Sequence, residues 1–145
     1  MTLLQPTDVP SRAGINNATT TEIAAHASTT DPNGPHYDSG WIDIPLRANR
    51  QASGEVPRYR RIGRQVFLRG RVAKTDATYF AANVQDTIGD LPAGFRPNPL
   101  TMWAIAGSTG TNSGGRFWVT TAGEIIMQPQ NATPNMSVAT TFLNN

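Results

Sequence analysis

The chain of 145 residues contains no cysteine, only two histidines, and a charged fraction of only 15%. Without cysteine it can form neither a disulfide framework nor a thiolate metal site. The histidines, His26 and His36, lie apart near the N-terminus, so we expect no zinc site within one chain and no cofactor. Its longest apolar run is far shorter than the ~20 residues of a membrane span, so no membrane insertion is expected.

Turn-forming residues are abundant, with 13 glycines and 11 prolines. They separate short segments in which apolar and polar residues alternate, the pattern of half-buried β-strands. About seven or eight such strands between Trp41 and Asn145 predict an all-β head domain, a β-sandwich or jelly roll. The predicted strands cover residues 41–46, 58–62, 65–72, 100–107, 116–121, 124–129 and 136–143, with one more at the start of 87–97.

Residues 1–40 are predicted to form an N-terminal extended arm with one short helix, Thr19–Ser28. Thr19 and Glu22 have the spacing of a capping box, and the prolines that follow end the helix. A helix this short is marginal alone in water, so it needs a neighbouring copy or a larger assembly to order it. We therefore assign Glu22 and Ile23 to an interface with a neighbouring subunit or with a larger assembly.

Positive charge is concentrated in one part of the head domain. Residues 47–74 carry nine basic residues and one acid, whereas the rest of the chain has three basic and nine acidic residues. This polarity suggests electrostatic complementarity between parts of the chain or between copies of it.

A Gly63-Arg64 turn of type II′ predicts the hairpin that carries most of these arginines. It pairs Ile62 with Gln65 and directs Tyr59, Val66, Leu68 and Val72 toward the core. Arg61 would share the core face and so must lie near a rim or find a partner. The opposite face, called here the arginine face, carries Arg58, Arg60, Phe67, Arg69 and Arg71, with Phe67 as a stacking platform for the guanidinium groups.

The arginine face has three possible roles. It could be a solvated outer face, because long side chains and salt reduce the repulsion. It could instead meet acidic groups of a neighbouring copy or of another protein. Binding of nucleic acid is disfavoured, because the rest of the domain is acidic and carries no recognised motif.

Catalytic patterns are scarce. The glycine-rich stretch Gly107–Gly115 lacks the lysine of a phosphate loop. Asp86 and Asp90 have the chemistry of a glycosidase pair, but neighbouring acids are common on surfaces. We therefore expect no enzymatic activity. Tyr79 and Phe80, in an irregular stretch, are expected to be exposed and are possible receptor contacts. Trp103 and Trp118, within predicted strands, are assigned to the core or a subunit interface.

Two sequence patterns resemble phage tail proteins. The stretch "IAAHASTTDPNGPHY" (Ile23–Tyr37) resembles a segment that recurs in phage tail-fibre and tail-spike proteins. The series "YRRIGRQVFLRGRV", "LPAGFRP" and "GRFWVTTAGEI", between Tyr59 and Ile125, resembles β-rich modules at the tips of phage minor tail and receptor-binding proteins.

The resemblance implies a homotrimeric β-sandwich head without catalysis, attached to the virion through residues 1–40. The expected location is the particle surface, in the tail or on the capsid. The expected function is a tail fibre or receptor-binding tip that contacts a host cell-surface glycan or protein. Two alternatives remain open, a purely structural capsid spike or decoration protein and a carbohydrate-binding module.

Overall fold

A computed structural model describes residues 36–106 and 114–144, and in these residues the chain is all-β. The strands are β1 (Ile42–Asp43), β2 (Arg50–Ala52), β3 (Arg58–Ile62), β4 (Gln65–Arg69), β5 (Arg71–Lys74), β6 (Asp86–Asp90), β7 (Thr101–Ala106), β8 (Gly114–Val119), β9 (Glu124–Pro129), β10 (Asn135–Ser137) and β11 (Thr140–Leu143).

The strands form three antiparallel sheets. Sheet 1 has the order β1-β3-β4-β11, sheet 2 the order β10-β5-β2, and sheet 3 the order β6-β9-β8-β7. Sheets 1 and 2 are linked through the chain, because β4 runs into β5 and β10 runs into β11. The predicted β-sandwich class is confirmed.

The core is built from the inward faces of all three sheets. In β9, Ile125 and Met127 are fully buried while Glu124, Ile126 and Gln128 are half-buried, which is the period-2 pattern of a strand with one core face. The cluster draws on sheet 1 (Val66, Leu68), sheet 2 (Val72, Met136) and sheet 3 (Phe117, Val119). Trp103 packs against the core with its ring 5.4 Å from that of Phe117, and Trp118 is buried.

The predicted hairpin is present with the predicted register. Ile62 pairs with Gln65, and Arg60 pairs with Phe67. Gly63 has a φ of 55°, as the first central residue of a type II′ turn requires. The alternation therefore directs Tyr59 into the core, as expected.

Two long predicted strands are each divided. The strand predicted over 65–72 breaks at Gly70, which has a φ of 110° and lies so close to the preceding loop that an added Cβ would be 2.5 Å from the Cα of Pro57. The strand predicted over 136–143 breaks in the same region, where the N–H of Val138 donates to the carbonyl oxygen of Gly70 (3.0 Å). Each predicted strand is thus divided between two sheets, with β4 and β11 in sheet 1 and β5 and β10 in sheet 2.

Other strand predictions were wrong in detail. The strand predicted over 41–46 is ordered as a strand only at Ile42–Asp43, and β2 was not predicted. The described residues hold eleven strands rather than seven or eight, because the two divided strands and β2 add to the number.

Hydrogen bonds join residues before Trp41 to the sandwich. The N–H of Gly63 donates to the carbonyl oxygen of Tyr37 (2.7 Å), and the N–H of Ser39 donates to that of Arg61 (3.0 Å). The predicted helix with Glu22 and Ile23 lies outside the described residues. Within residues 36–106 and 114–144, no helix is long and apolar enough to cross a membrane.

Candidate functional site

Arginines of the arginine face pair with acids of the same chain. The Nε of Arg58 donates to Asp43 (2.7 Å), which lies opposite it on β1. Arg60 donates twice to Asp38, from Nε (2.8 Å) and from Nη2 (2.5 Å). These bonds from Arg60, together with the backbone N–H of Gly40, lower the pKa of Asp38 from 3.8 to about 2. Part of the repulsion between the arginines is thereby neutralised within one chain.

Trp41, and not Phe67, is the aromatic platform of the arginine face. The guanidinium of Arg69 lies 4.2 Å from the centroid of the Trp41 ring, and that of Arg60 lies 5.9 Å from it. Arg69 also approaches Glu55 at 3.6 Å. Among the described residues, Phe67 has no guanidinium over its ring. The predicted stacking role of Phe67 was wrong.

Arg71 differs from the other arginines of this face. It lies on β5, in sheet 2, and its side chain is exposed. It forms no ion pair with an acid of the described residues. The assignment of the whole face to a subunit or virion interface stays a prediction.

Arg61 is buried on the core side, as its position in the hairpin predicted. Only 8% of the residue is exposed, and its Nη1 donates to the carbonyl oxygen of Gly94 (2.6 Å). Its guanidinium lies 4.4 Å from the ring centroid of Tyr37 and 5.5 Å from that of Phe95. A backbone carbonyl and two aromatic rings thus replace the water that the charge loses on burial.

The two predicted receptor contacts have opposite environments. Tyr79 is 57% exposed, as expected, whereas Phe80 is only 1% exposed, so its assignment to a receptor contact was wrong. Phe80 exchanges backbone hydrogen bonds with Thr133 (2.8 and 3.2 Å), which fixes its ring in the core. Alternation along the extended backbone then directs Tyr79 outward.

Asp86 and Asp90 pair with two different arginines. The Nε of Arg50 donates to Asp86 (3.0 Å), and this pair is largely buried. Arg47 donates to both oxygens of Asp90 at 2.5 and 2.7 Å. The hydrogen bonds from Arg47 lower the pKa of Asp90. A carboxyl group with a lowered pKa is ionised at neutral pH, which does not suit the general acid of a glycosidase.

A polar cleft of about 350 Å³ lies on sheet 3, where β8 begins and β9 ends. It is lined by Asn83, Gly115, Arg116, Gln128 and Gln130. The sequence analysis did not single out these residues, because they are ordinary surface types distributed over three segments. The Gly114-Gly115 pair, at the end of the glycine-rich stretch, was the one local signal.

No three His, Cys, Asp or Glu side chains in the described part of the chain are grouped so that they could hold a metal ion. No protein-family model matches the chain, and no curated protein matches it either. Among solved structures, the chain is similar to the receptor binding protein (gp15) of Listeria phage PSA. The identity is 14%, the TM-score is 0.58, and the match covers 99% of this chain and 89% of that chain. At this identity the similarity shows a shared fold.

Proposed function

We propose that this chain is a phage virion protein that forms a receptor-binding tip of the tail and contacts the host cell surface. The observation that carries the proposal is the fold shared with a phage receptor binding protein over nearly the whole length of both chains. The sequence patterns between Tyr59 and Ile125 support it independently, because they resemble modules at the tips of phage tails.

The proposed protein is a homotrimer that attaches to the virion through residues 1–40. The arginine face is the proposed contact between subunits or with another virion protein. Since three of its arginines have acids of their own chain, the face offers neutral ion pairs, the half-buried Phe67 and the exposed Arg71 to a partner. Such a mixed surface suits an interface better than unpaired cations, which repel each other across strands.

Arg71→Glu tests this interface without disturbing an intrachain ion pair. We expect the variant to keep its unfolding midpoint but to lose trimer mass in light scattering, because the reversed charge would face an acidic partner surface. Asp76→Lys, a charge reversal in the exposed loop after β5, is the control. An unchanged trimer in both variants, or a wild-type monomer, would remove the interface from the proposal.

Binding without catalysis is the proposed activity. The ion pairs of Asp86 with Arg50 and of Asp90 with Arg47 support it, because both carboxylates are engaged with arginines of the same chain and do not form a free catalytic pair. Incubating the purified protein with host polysaccharide and measuring new reducing ends tests this part. Release of sugar above a heat-unfolded control would contradict it.

Competition with the phage tests the function as a whole. Purified full-length protein is added to cells of the host strain before the phage, and adsorption is then counted. Reduced adsorption in proportion to the protein bound supports receptor binding. Absence of binding to cells, in a protein that still joins the particle, would favour the structural decoration protein instead.

A further inference from the structure

The polar cleft on sheet 3 is a formed feature with walls held by hydrogen bonds. One wall is Asn83, a non-glycine residue with a φ of 59°. Its N–H donates to the carbonyl oxygen of Pro129 (2.7 Å), and its own carbonyl accepts from Nε2 of Gln128 (2.8 Å). On the other side, the N–H of Gln130 donates to the carbonyl oxygen of Gly114 (2.8 Å). These bonds fix the separation of the walls before any ligand arrives.

Two glycines begin β8 beside the cleft, and Gly115 is part of its lining. An added Cβ at Gly114 would lie 3.2 Å from the side-chain oxygen of Gln130. An added Cβ at Gly115 would lie 2.8 Å from the carbonyl oxygen of Gln128 and 3.3 Å from the Cε of the buried Met136, so it would point toward the core. A side chain at Gly114 would therefore press on Gln130, which lines the cleft.

The lining has the chemistry of a site for hydroxyl groups. Asn83, Gln128 and Gln130 each carry an amide, which both donates and accepts hydrogen bonds, as a sugar hydroxyl does. Arg116 and Gln128 are direct neighbours across β8 and β9, so a guanidinium and an amide point from the same face. A saccharide ring can bond to several of these groups at once.

Arg116 makes the cleft positively charged. It is exposed, and it forms no ion pair with any acid in the part of the chain that the structure describes. The lining contains no carboxylate. A guanidinium beside neutral amides favours a ligand that carries a carboxylate or a phosphate.

We propose that this cleft binds a saccharide unit bearing an anionic group, with Arg116 contacting the anion and the three amides contacting the hydroxyls. The proposal deepens the proposed receptor-binding function and rests on it for its biological setting. A saccharide site on the outer face of sheet 3 leaves the arginine face, on sheets 1 and 2, free for assembly.

The test is a titration of the ¹⁵N-labelled protein followed by NMR, with glucuronate, glucose and inorganic phosphate as separate probes at concentrations up to about 10 mM. We expect glucuronate to shift the side-chain amide signals of Asn83, Gln128 and Gln130, and to bind more tightly than glucose. Arg116→Gln should weaken glucuronate about tenfold, the loss of one charge-assisted contact, and leave glucose unchanged. Lys74→Gln is the control, since Lys74 is a cation on β5, outside the cleft and the arginine face, and forms no ion pair with an acid of the described residues.

Two outcomes would overturn the proposal. The first is that neither sugar shifts these signals, or that phosphate alone produces the same shifts and affinity as glucuronate. The second is that Arg116→Gln binds glucuronate as tightly as Lys74→Gln does. Failure here is distinguishable from failure of the proposed function. If both variants compete with phage as well as the wild type, receptor binding stands without this cleft. Glucuronate binding by a protein that does not attach to cells would leave the cleft without its proposed role.

Discussion

Replacing Gly70 with alanine should destabilise the sandwich severely, because two independent costs act at this position. Gly70 has a φ of 110°, which a residue with a Cβ rarely adopts, and such strain costs about 1–3 kcal/mol. The new Cβ would also lie 2.5 Å from both the Cα of Pro57 and the carbonyl oxygen of Val56. Backbone must move to relieve these contacts, which adds about 1–3 kcal/mol, the usual cost of overpacking.

The expected total is a loss of about 2–6 kcal/mol in the free energy of unfolding, a large share of the ~5–15 kcal/mol of an ordinary domain. Gly54→Ala is the matched control. Gly54 also has a positive φ, of 82°, but nothing lies within 4 Å of its added Cβ. It should therefore show the strain cost without the clash.

Urea unfolding of both variants, followed by circular dichroism, measures the difference. The midpoint of Gly54→Ala should lie below that of the wild type by the strain cost alone, and Gly70→Ala should have a midpoint far lower still or be unfolded without urea. The reasoning would be refuted if the two variants lost the same stability within about 0.5 kcal/mol, since the close contact with Pro57 would then carry no energy.

The remaining predictions concern the exposed and buried aromatic residues and one carboxylate. Phe80→Ala should lose about 3–5 kcal/mol of unfolding free energy in urea titrations, whereas Tyr79→Ala should stay within about 0.5 kcal/mol of the wild type. Similar losses in the two variants would contradict the burial of Phe80 and the exposure of Tyr79. Trp41→Ala should lose about 0.5–1 kcal/mol of unfolding free energy, because the contact between the ring and the guanidinium of Arg69 is removed. Trp41→Leu keeps apolar bulk but has no ring, so it should lose a similar amount if stacking of the guanidinium is what stabilises. Asp38 has a folded pKa of about 2, below its ordinary 3.8, so its ion pair stabilises the fold above pH 3.8 and is lost as the pH falls toward 2. The melting temperature of Asp38→Asn should therefore depend less on pH in that range than that of the wild type, and equal slopes would contradict the shifted pKa.

The arginine face shows how far the sequence specified the site. The turn at Gly63 set the register of the hairpin, and the register decided which face Arg58, Arg60 and Arg69 occupy. The acids that pair with them lie up to 22 residues earlier in the chain, as Asp38 does from Arg60. A chain read in order does not reveal such partners, because they depend on which strands become neighbours.

The sequence by itself determined the properties that depend on neighbours along the chain. Period-2 alternation fixed the β class and the core faces, and turn chemistry fixed the hairpin at Gly63. Only the tertiary structure decided where strands change sheets, as at Gly70, and which member of the pair Tyr79 and Phe80 enters the core. The polar cleft is of the same kind, because Asn83, Arg116 and Gln128 come together only when the end of β9 lies between β8 and the loop before β6. The physical reason is that packing brings together residues that are distant in sequence. The local sequence around one such residue does not indicate which distant residue it will contact.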